Sequence, residues 1–310
     1  MPSDFSVKFY GCRGSIPVSG KQYARYGGAT SCVVVSVGDR DIVLDAGSGI
    51  LDYGKARLAH YATTREPLTT YIFVTHTHFD HLIGLPYFAP MFMPDSTVYL
   101  WGPRTARFES FEDSIETLIQ SPYYPVDLHE MQAEKIFHDV SEADVVYILK
   151  DSLEPIQARP RHPRFAGSLP RDEDVLCEIH CMRGYSHPKC GVNIYKVVHE
   201  GRSVVYATDT EGFVHGDRRL MRFAKDAEVL IHDAMYTEDR YVAMPMPTQG
   251  YGHSTVEIAT TLARESGVKK LFLFHHEPAS SDEDLDRIDA LGKSLFAASA
   301  VAVDGLEVKL

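Results

Sequence analysis

The amino-acid sequence predicts an α/β fold in which mixed β-sheets are covered by helices. Short apolar runs rich in β-branched residues recur along the chain, and the first two flank a break that is typical of a hairpin. Segments with helix signals follow several of these runs. Strands followed by helices, with a hairpin near the front of the chain, favour sheets packed against helices.

The predicted strands are short apolar segments. Residues 31–37 and 41–45 flank Gly38-Asp39 and form the predicted hairpin. The other predicted strands are residues 69–75, 203–208, 227–232 and 270–275. Their apolar, β-branched side chains are typical of buried sheet positions.

Three segments carry helix signals, namely residues 104–120, 254–266 and 281–300. The second has the clearest boundaries. Ser254 and Glu257 form a capping-box pattern at its start, and Gly267 stands where the helix should end. We therefore expect Ser254 to cap this helix.

The chain has 310 residues, of which 44% are hydrophobic, so it can bury a large core. No segment has the composition of a linker, which favours a single domain over residues 1–310. The stretch from about 151 to 174 is rich in proline, arginine and acidic residues and is predicted to be a loop insertion.

The charge balance bears on possible partners. Lys and Arg number 31 against 43 Asp and Glu, which gives a formal net charge of −12. An acidic chain repels polyanions at long range, so an extended nucleic-acid surface is disfavoured. A small anionic substrate is compatible with this charge, because a local positive charge at its site would dominate the field there.

The expected location is the cytoplasm, with no membrane partner. The first residues lack a signal-peptide pattern, and no segment approaches the ~20 apolar residues of a membrane span. The five cysteines are an odd number without a CxxC pair, which is typical of free thiols in a reducing compartment. A zinc knot of Cys177, Cys181 and Cys190 with His180 is an alternative whose spacing fits no common pattern.

The densest group of potential metal ligands follows the predicted strand 69–75. It comprises His76, His78, Asp80 and His81. In an extended turn, residues two apart point the same way, so the first two can share one ion and the last two a second. Imidazole and carboxylate suit zinc, iron or manganese. The alternative is a histidine-rich surface turn.

Two other predicted strands also run into potential ligands, because Asp209 and His275 stand at or just after their ends. Ligands at the ends of strands suit a site that the sheet holds rigid and that loops leave open to substrate.

The run His76 to His81 resembles the HxHxDH motif of the metallo-β-lactamase superfamily, and the resemblance covers nearly the whole chain. It implies a four-layer αββα sandwich and two divalent metal ions, preferably zinc, with manganese or iron as alternatives. Residues 42–50 look like the strand and glycine loop of that superfamily. The resemblance implies that Asp45 orients the site.

The resemblance also implies the remaining ligands. His187 matches the third histidine, which would join His76 and His78 at the first ion, and His180 is the alternative. Asp209 matches the bridging aspartate. His275 matches the last histidine, with His276 as the alternative.

The same ligand set distinguishes branches of the superfamily. True β-lactamases commonly carry a cysteine where this chain has Asp209. The flavodiiron oxidoreductases carry a glutamate where it has His78. Both departures point away from those branches.

Two further residues resemble those of the phosphodiesterase branch, which includes tRNase Z. Residues 252–259 are similar to its histidine-Ser/Thr motif, and residues 231–236 stand where it has a histidine-acid-alanine segment. The resemblance implies that His253 protonates the leaving oxygen and that Asp233 holds its ring. This chain has Asp233 in place of the usual glutamate. The alternatives are a residue beside a helix cap and a structural turn carboxylate.

The preferred substrate is a small, possibly cyclic, nucleotide. Residues 9–20 and 26–35 look like bacterial relatives of cyclic-nucleotide phosphodiesterases, and Arg13 could meet a phosphate there. Many bacterial tRNase Z proteins carry a tRNA-gripping arm between the third histidine and the bridging aspartate. Only residues 188–208 lie there in this chain, too few for such an arm.

Other functions and partners stay open at this point. They are an RNA 3′-end processing nuclease, a thioesterase or lactonase of the glyoxalase II type, and a non-catalytic metal-binding regulatory protein. Tyr241 could stack a base. An arginine-rich loop could clamp a phosphate or lie in solvent; its members are Arg159, Arg161, Arg164 and Arg171. A homodimer is compatible with the resemblance, because members of the superfamily are often dimers.

Overall fold

The computed structural model describes residues 5–160, 162, 169–213 and 216–310. The chain divides into two compact units. The first, here called the amino-terminal unit, comprises residues 6–140 and 303–309. The second, the carboxy-terminal unit, comprises residues 141–302 with both chain ends. The single domain over residues 1–310 stays a prediction.

The amino-terminal unit contains a seven-stranded mixed sheet with the strand order β15-β1-β2-β3-β4-β5-β6. Strands β3 to β6 are parallel, whereas β2 pairs antiparallel with β3 and β15 with β1. The strands are β1 (Phe5–Gly11), β2 (Cys32–Val37), β3 (Arg40–Leu44), β4 (Leu68–Phe73), β5 (Ser96–Gly102), β6 (Glu134–Asp139) and β15 (Glu307–Lys309). The helices are α1 (Ile50–Thr64) and α2 (Phe111–Leu118).

The carboxy-terminal unit contains an eight-stranded mixed sheet with the order β14-β13-β12-β11-β10-β9-β7-β8. Strands β11 to β14 are parallel and the others antiparallel. The strands are β7 (Val145–Leu149), β8 (Ile156–Ala158), β9 (Val175–Gly184), β10 (Val192–His199), β11 (Arg202–Ala207), β12 (Val229–Asp233), β13 (Lys270–Phe274) and β14 (Ser299–Val301). The helices are α3 (Arg218–Phe223), α4 (Glu238–Tyr241), α5 (Val256–Ser266) and α6 (Asp282–Leu295).

Burial of apolar side chains holds each sheet to its helices. In the amino-terminal unit, Val34, Ile72 and Leu100 of the sheet share a buried cluster with Tyr53 of α1 and Ile115 of α2. In the carboxy-terminal unit, α5 packs against β12 and β13. Strands buried on both faces are typical of parallel sheet interiors, and β12 is buried throughout. The predicted α/β fold class with mixed sheets is confirmed.

Several predicted boundaries are wrong for local reasons. The helix expected over residues 104–120 begins at Phe111, because Ser110 caps it through a capping box. Thr255, not Ser254, caps α5 by accepting from the Ile258 backbone N–H at 3.2 Å. The last predicted helix ends at Leu295, and β14 occupies part of the remaining stretch. Gly267 ends α5 in the left-handed conformation, as expected.

The predicted insertion over 151–174 contains regular structure in its described part, namely β8 and a short 3-10 turn at Asp172–Asp174. Arg161 and Arg164 of the arginine-rich loop lie outside the described residues. All five cysteines are free thiols. Within the described ranges, no helix has both the length and the apolar composition needed to cross a membrane.

Candidate active site

Three adjacent parallel strands of the carboxy-terminal unit end beside candidate site residues. Asp209 follows β11 by two residues, Asp233 is the last residue of β12, and His275 directly follows β13. Because the strands are parallel and in register, their carboxyl ends share one edge of the sheet. Asp209 and His275 adopt positive φ angles of 52° and 62°. Such conformations cost about 1–3 kcal/mol in a non-glycine residue and concentrate at functional sites.

These strand ends form a compact cluster with His253. One donor atom from each of Asp209, Asp233, His253 and His275 lies within 4.8 Å of the others. His275 Nε2 is 3.2 Å from Asp209 Oδ2, and the rings of His253 and His275 stack at 4.9 Å between centroids. Within this cluster, Asp209 and His275 supply a carboxylate and an imidazole, which are donors that suit a divalent metal.

Asp233 holds the ring of His253 and the turn around it. His253 Nδ1 donates to Asp233 Oδ2 at 2.7 Å. The other carboxylate oxygen accepts from the backbone N–H groups of Ser254 at 3.0 Å and Met235 at 3.1 Å. Asp233 is fully buried, whereas 11% of the His253 side chain is exposed. The contact expected for a proton relay is therefore present, although its chemical role stays a prediction.

His187 lies in this unit close to Asp209. Its Nε2 is 3.8 Å from Asp209 Oδ1, and its Nδ1 donates to the Gly252 carbonyl oxygen at 3.1 Å. Burial lowers the pKa of His187, which favours the neutral imidazole that binds metals. The alternative, His180, instead pairs with Glu178 at 2.6 Å on β9. The structure thus brings His187, rather than His180, to Asp209.

The two neighbouring histidines after β13 have different surroundings. His275 faces Asp209, as described above. His276 is buried, and its Nε2 donates to the Ala302 carbonyl oxygen at 2.9 Å. His275 is therefore the member of the pair that belongs to the cluster.

Glu211 organises the loop beside His187, a contribution that the sequence analysis missed. Its carboxylate accepts from the Tyr241 hydroxyl and from the backbone N–H groups of Gly250 at 2.7 Å and Gly252 at 2.9 Å. Burial, together with the bond to Glu211, raises the pKa of Tyr241. In this structure Tyr241 supports the loop, and base stacking by Tyr241 stays a prediction.

The loop fits closely against His187. Gly252 has a φ of 91°, and a Cβ there would lie 2.4 Å from His187 Nδ1. A glycine is therefore required both by the backbone and by the ring beside it. Glu211 thus acts on His187 through Gly252. The Gly252 N–H donates a hydrogen bond to Glu211, and the Gly252 carbonyl oxygen accepts one from the imidazole of His187.

The amino-terminal unit presents a second cluster, built on Asp45 after β3. Asp45 has a positive φ of 63° and is fully buried. Its carboxylate accepts from the Thr75 backbone N–H at 2.7 Å, from the Thr75 hydroxyl at 3.0 Å and from His81 Nδ1 at 2.7 Å. Because Nδ1 of His81 is used in this way, Nε2 is the ring nitrogen left to face a metal. These contacts match the orienting role that the resemblance implies for Asp45.

The other histidines of the motif surround His76. Its ring centroid lies 4.4 Å from that of His78 and 4.3 Å from that of His81. Asp80 Oδ2 lies 3.3 Å from His81 Nε2 and accepts from the Ser15 backbone N–H at 2.7 Å. The motif is therefore a packed group of imidazoles with a carboxylate, not a solvent-exposed turn.

The arginines proposed for phosphate binding are engaged elsewhere in the structure. Arg13 is fully buried, stacks over Tyr23 at 5.0 Å and donates to the Gly27 carbonyl oxygen at 2.9 Å. In this structure the side chain supports its own loop, and a contact between Arg13 and a phosphate stays a prediction. Arg159 pairs with Asp144 and Arg171 with Asp174, so both arginines contact carboxylates of the same chain.

Comparison with known proteins adds a family and a fold. A family model described as a β-lactamase superfamily domain matches residues 40–276. Ribonuclease Z of Picrophilus torridus is 24% identical over an alignment that covers 99% of this chain and 96% of that protein. Ribonuclease Z of Bacillus subtilis is 27% identical over 77% of this chain and 80% of that protein.

Solved structures agree on the fold. A diphosphatase from the PhnP family superimposes with a TM-score of 0.65 and 16% identity, covering 99% of this chain and 98% of that one. The short form of human tRNase Z superimposes with a TM-score of 0.62 and 18% identity, covering 98% of both chains. At sequence identities this low, the superpositions establish similarity of fold and not of function.

Proposed function

Because the chain belongs to the β-lactamase superfamily, we propose that it is a metal-dependent hydrolase that cleaves phosphodiesters. The two clusters described above supply the kinds of donor that two divalent ions need. Zinc is the preferred metal, with manganese or iron as alternatives. When bound, such ions activate water for attack and neutralise the charge that builds up on the phosphate oxygens.

The ligand assignment in this proposal follows the superfamily motif. His76, His78 and His187 would hold one ion. Asp80, His81 and His275 would hold the other, and Asp209 would bind both. Support comes from the chemistry of each cluster, since these side chains are imidazoles and carboxylates and most of them are buried. Asp45 would keep His81 in the tautomer whose Nε2 is available.

The observation that carries the phosphodiester proposal is the bond between His253 and Asp233 at 2.7 Å. An alkoxide is a poor leaving group and needs a proton as its bond to phosphorus breaks. His253 is partly accessible and would give that proton, while Asp233 fixes the ring and stabilises its charged form. Expulsion of a thiolate needs no such acid, so a thioesterase gains little from this pair.

For the substrate class, we propose RNA 3′-end processing ahead of the small nucleotide that the sequence analysis preferred. Two of the relatives named ribonuclease Z align over 99% and 94% of this chain, which supports an RNA substrate. The small nucleotide stays a second candidate for one structural reason. The residues between His187 and Asp209 form β10 and β11 with a short turn, which leaves no segment for an arm at that place.

The test is to load the purified chain with zinc or manganese, measure the bound metal, and assay it on a substrate panel. The panel contains bis(p-nitrophenyl) phosphate, cyclic nucleotides, a tRNA precursor with a 3′ extension, and a thioester. We expect the wild-type chain to turn over phosphodiesters and the His78→Ala variant to be inactive. The variant is the control for a contaminating nuclease, whose activity would persist in it. Thioester turnover without phosphodiester turnover would contradict the proposal. No turnover at all by metal-loaded protein would favour a non-catalytic metal-binding protein.

A further inference from the structure

A large uncharged pocket lies in the amino-terminal unit. Its volume is about 680 Å³, within the range of small-molecule sites. The lining consists of aromatic, aliphatic and hydroxyl side chains, among them Thr77, Phe79, Tyr87, Ser114, Tyr123 and Tyr124. None of the lining residues carries a charge, so the pocket suits an uncharged group better than a phosphate.

Several of the lining aromatic rings are open to solvent. Phe79 and Tyr87 are each 59% exposed, and Tyr123 is 84% exposed. Tyr124 is fixed by its hydroxyl, which donates to the Pro86 carbonyl oxygen at 2.6 Å, and its ring meets that of Tyr87 edge to face at 5.3 Å. Exposed aromatic groups gathered around a concavity are typical of a binding site.

Ser114 of α2 contributes a polar hydroxyl group to the lining of this largely apolar pocket. The residue is only 8% exposed, and no group in the described part of the chain hydrogen-bonds its hydroxyl. Buried hydroxyls are nearly always hydrogen-bonded, so a ligand with a polar edge would satisfy Ser114. An aliphatic chain would leave this hydroxyl unsatisfied.

Two of the residues that line the pocket belong to the same chain segment as the histidine motif. Thr77 and Phe79 line the pocket, and they are the immediate neighbours of His78. A group bound in the pocket would therefore contact the same chain segment that carries the histidines proposed to bind metal. The two subsites would divide a substrate into an uncharged part and a phosphate.

We infer that this pocket binds a nucleobase of the substrate. A base has flat faces that stack on aromatic rings and polar edges that can reach Ser114. The inference rests on the proposed phosphodiesterase function for the position of the phosphate. The base could belong to a free nucleotide or to a nucleotide near the cleavage point of an RNA.

The first experiment compares two substrates with the same leaving group, thymidine 5′-(p-nitrophenyl phosphate) and methyl p-nitrophenyl phosphate. We expect the wild-type chain to prefer the nucleoside ester by about tenfold in kcat/KM, and Tyr123→Ala to lose most of that preference. Ser114→Ala should also lower it. The methyl ester carries no base, so its kcat/KM is the reference to which the nucleoside ester is compared within each variant. Phe92→Leu is the control, because Phe92 is 38% exposed in the same unit but does not line the pocket.

The second experiment does not depend on turnover. Binding of adenosine and of ribose to the chelator-treated chain is measured from changes in NMR chemical shifts. We expect adenosine to bind, ribose not to bind, and Tyr123→Ala to weaken adenosine binding about tenfold. Adenosine binding without any phosphodiester turnover would support the pocket while contradicting the proposed function. Phosphodiester turnover without a preference for the nucleoside ester and without adenosine binding would overturn the inferred base binding but not the proposed function.

The same variants separate the sources of the base. If Tyr123→Ala slows cleavage of a 3′-extended RNA, or of a cyclic nucleotide, by about tenfold, that substrate supplies the base and the inference is supported. If neither reaction changes, it is overturned. If the wild-type chain sediments as a dimer, Tyr123→Ala sediments as a monomer and nucleoside binding is unchanged, a second copy of the chain covers the pocket and the inference is overturned.

Discussion

Asp45 illustrates how a single residue without a substrate contact can set the geometry of a site. Its left-handed backbone turns the chain after β3, and its carboxylate takes hydrogen bonds from Thr75 and His81. An acceptor on His81 Nδ1 decides which ring nitrogen faces a metal and raises the basicity of that nitrogen.

The Asp45→Asn variant tests this role. Asparagine tolerates the left-handed conformation, so the fold should persist. It offers only one acceptor oxygen to Thr75 and His81, and we expect metal affinity to fall about 10- to 100-fold in chelator competition. Asp52→Asn is the control, because that carboxylate is exposed on α1 and pairs only with Lys55 among the described contacts. Equal affinities in the two variants would contradict the assigned role.

Glu211 offers a second prediction for a residue that acts through the backbone. In Glu211→Gln, the amide can no longer accept all three hydrogen bonds from the loop, so the Gly252 carbonyl and the His187 ring should lose their fixed positions. We expect metal affinity to fall about tenfold while unfolding stays cooperative. The matched substitution Glu154→Gln, at an exposed position of the same unit, should leave metal affinity unchanged. Unaltered affinity in Glu211→Gln would show that the loop is held without this carboxylate.

The histidine motif was visible in the sequence because its members are adjacent in the chain. Glu211 was not, because its partners Gly250 and Gly252 are 39 and 41 residues away and nothing local marks them. The burial of Arg13 was not visible for a related reason, because Tyr23, which packs over its guanidinium, stands ten residues further along the chain.

At the scale of elements, the start of α5 distinguishes two adjacent hydroxyls that the sequence could not separate. Thr255 caps the helix, whereas the Ser254 hydroxyl donates to the Thr210 carbonyl oxygen at 2.5 Å. That bond ties the segment after His253 to the strand end that carries Asp209. Both motif residues therefore have structural roles: Thr255 caps α5, and Ser254 anchors the preceding segment to Thr210.

Substitutions at Thr255 test the cap. Thr255→Val keeps the shape of the side chain but removes the acceptor, so we expect a loss of about 1 kcal/mol in the free energy of unfolding. Thr255→Ser keeps the hydroxyl and should lose clearly less. Urea denaturation followed by circular dichroism measures both. A larger loss in Thr255→Ser than in Thr255→Val would mean that methyl packing, and not capping, dominates at this buried position.

The strands were predictable where apolar runs stand next to turn residues, as for β2, β3 and β13. Helix α1 was missed, because few of its residues are buried and its apolar pattern is weak; the buried ones are Ile50, Tyr53 and Gly54. Its position follows from packing after the glycine loop and not from local propensity. The end of the final helix was overestimated, because residues 299–301 join the sheet as β14 by pairing with β13.

For the whole molecule, we expect bound metal to contribute to the stability of the folded chain. A ligand that binds only the folded chain stabilises it by about 2.7 kcal/mol at 100 times its dissociation constant. We therefore expect chelator treatment to lower the Tm in scanning calorimetry and added zinc or manganese to restore it. The His78→Ala control should respond much less to added metal. A Tm that is indifferent to chelation and metal in the wild-type chain would contradict a metal site.

The fold class and the superfamily could be predicted from the sequence, because the motif, the strand ends and the later helices all point to the same architecture. The preference between an RNA and a small nucleotide as substrate could not be predicted from the sequence. The net charge of −12 argued for a small ligand, but charge describes the whole surface and says little about one groove. Relatives named ribonuclease Z shift that preference, whereas the pocket beside the histidine motif is visible only in three dimensions.

The most direct test of the central claim is how the rate depends on the leaving group when His253 is removed. Thymidine 5′-phosphodiesters with leaving groups from p-nitrophenolate to an alkoxide are compared in wild type and His253→Ala, together with bound metal. We expect unchanged metal content and p-nitrophenyl turnover, with alkoxide expulsion slowed about 100-fold or more. Equal slowing of every substrate, or loss of metal from the variant, would contradict the assignment of His253 as the acid held by Asp233.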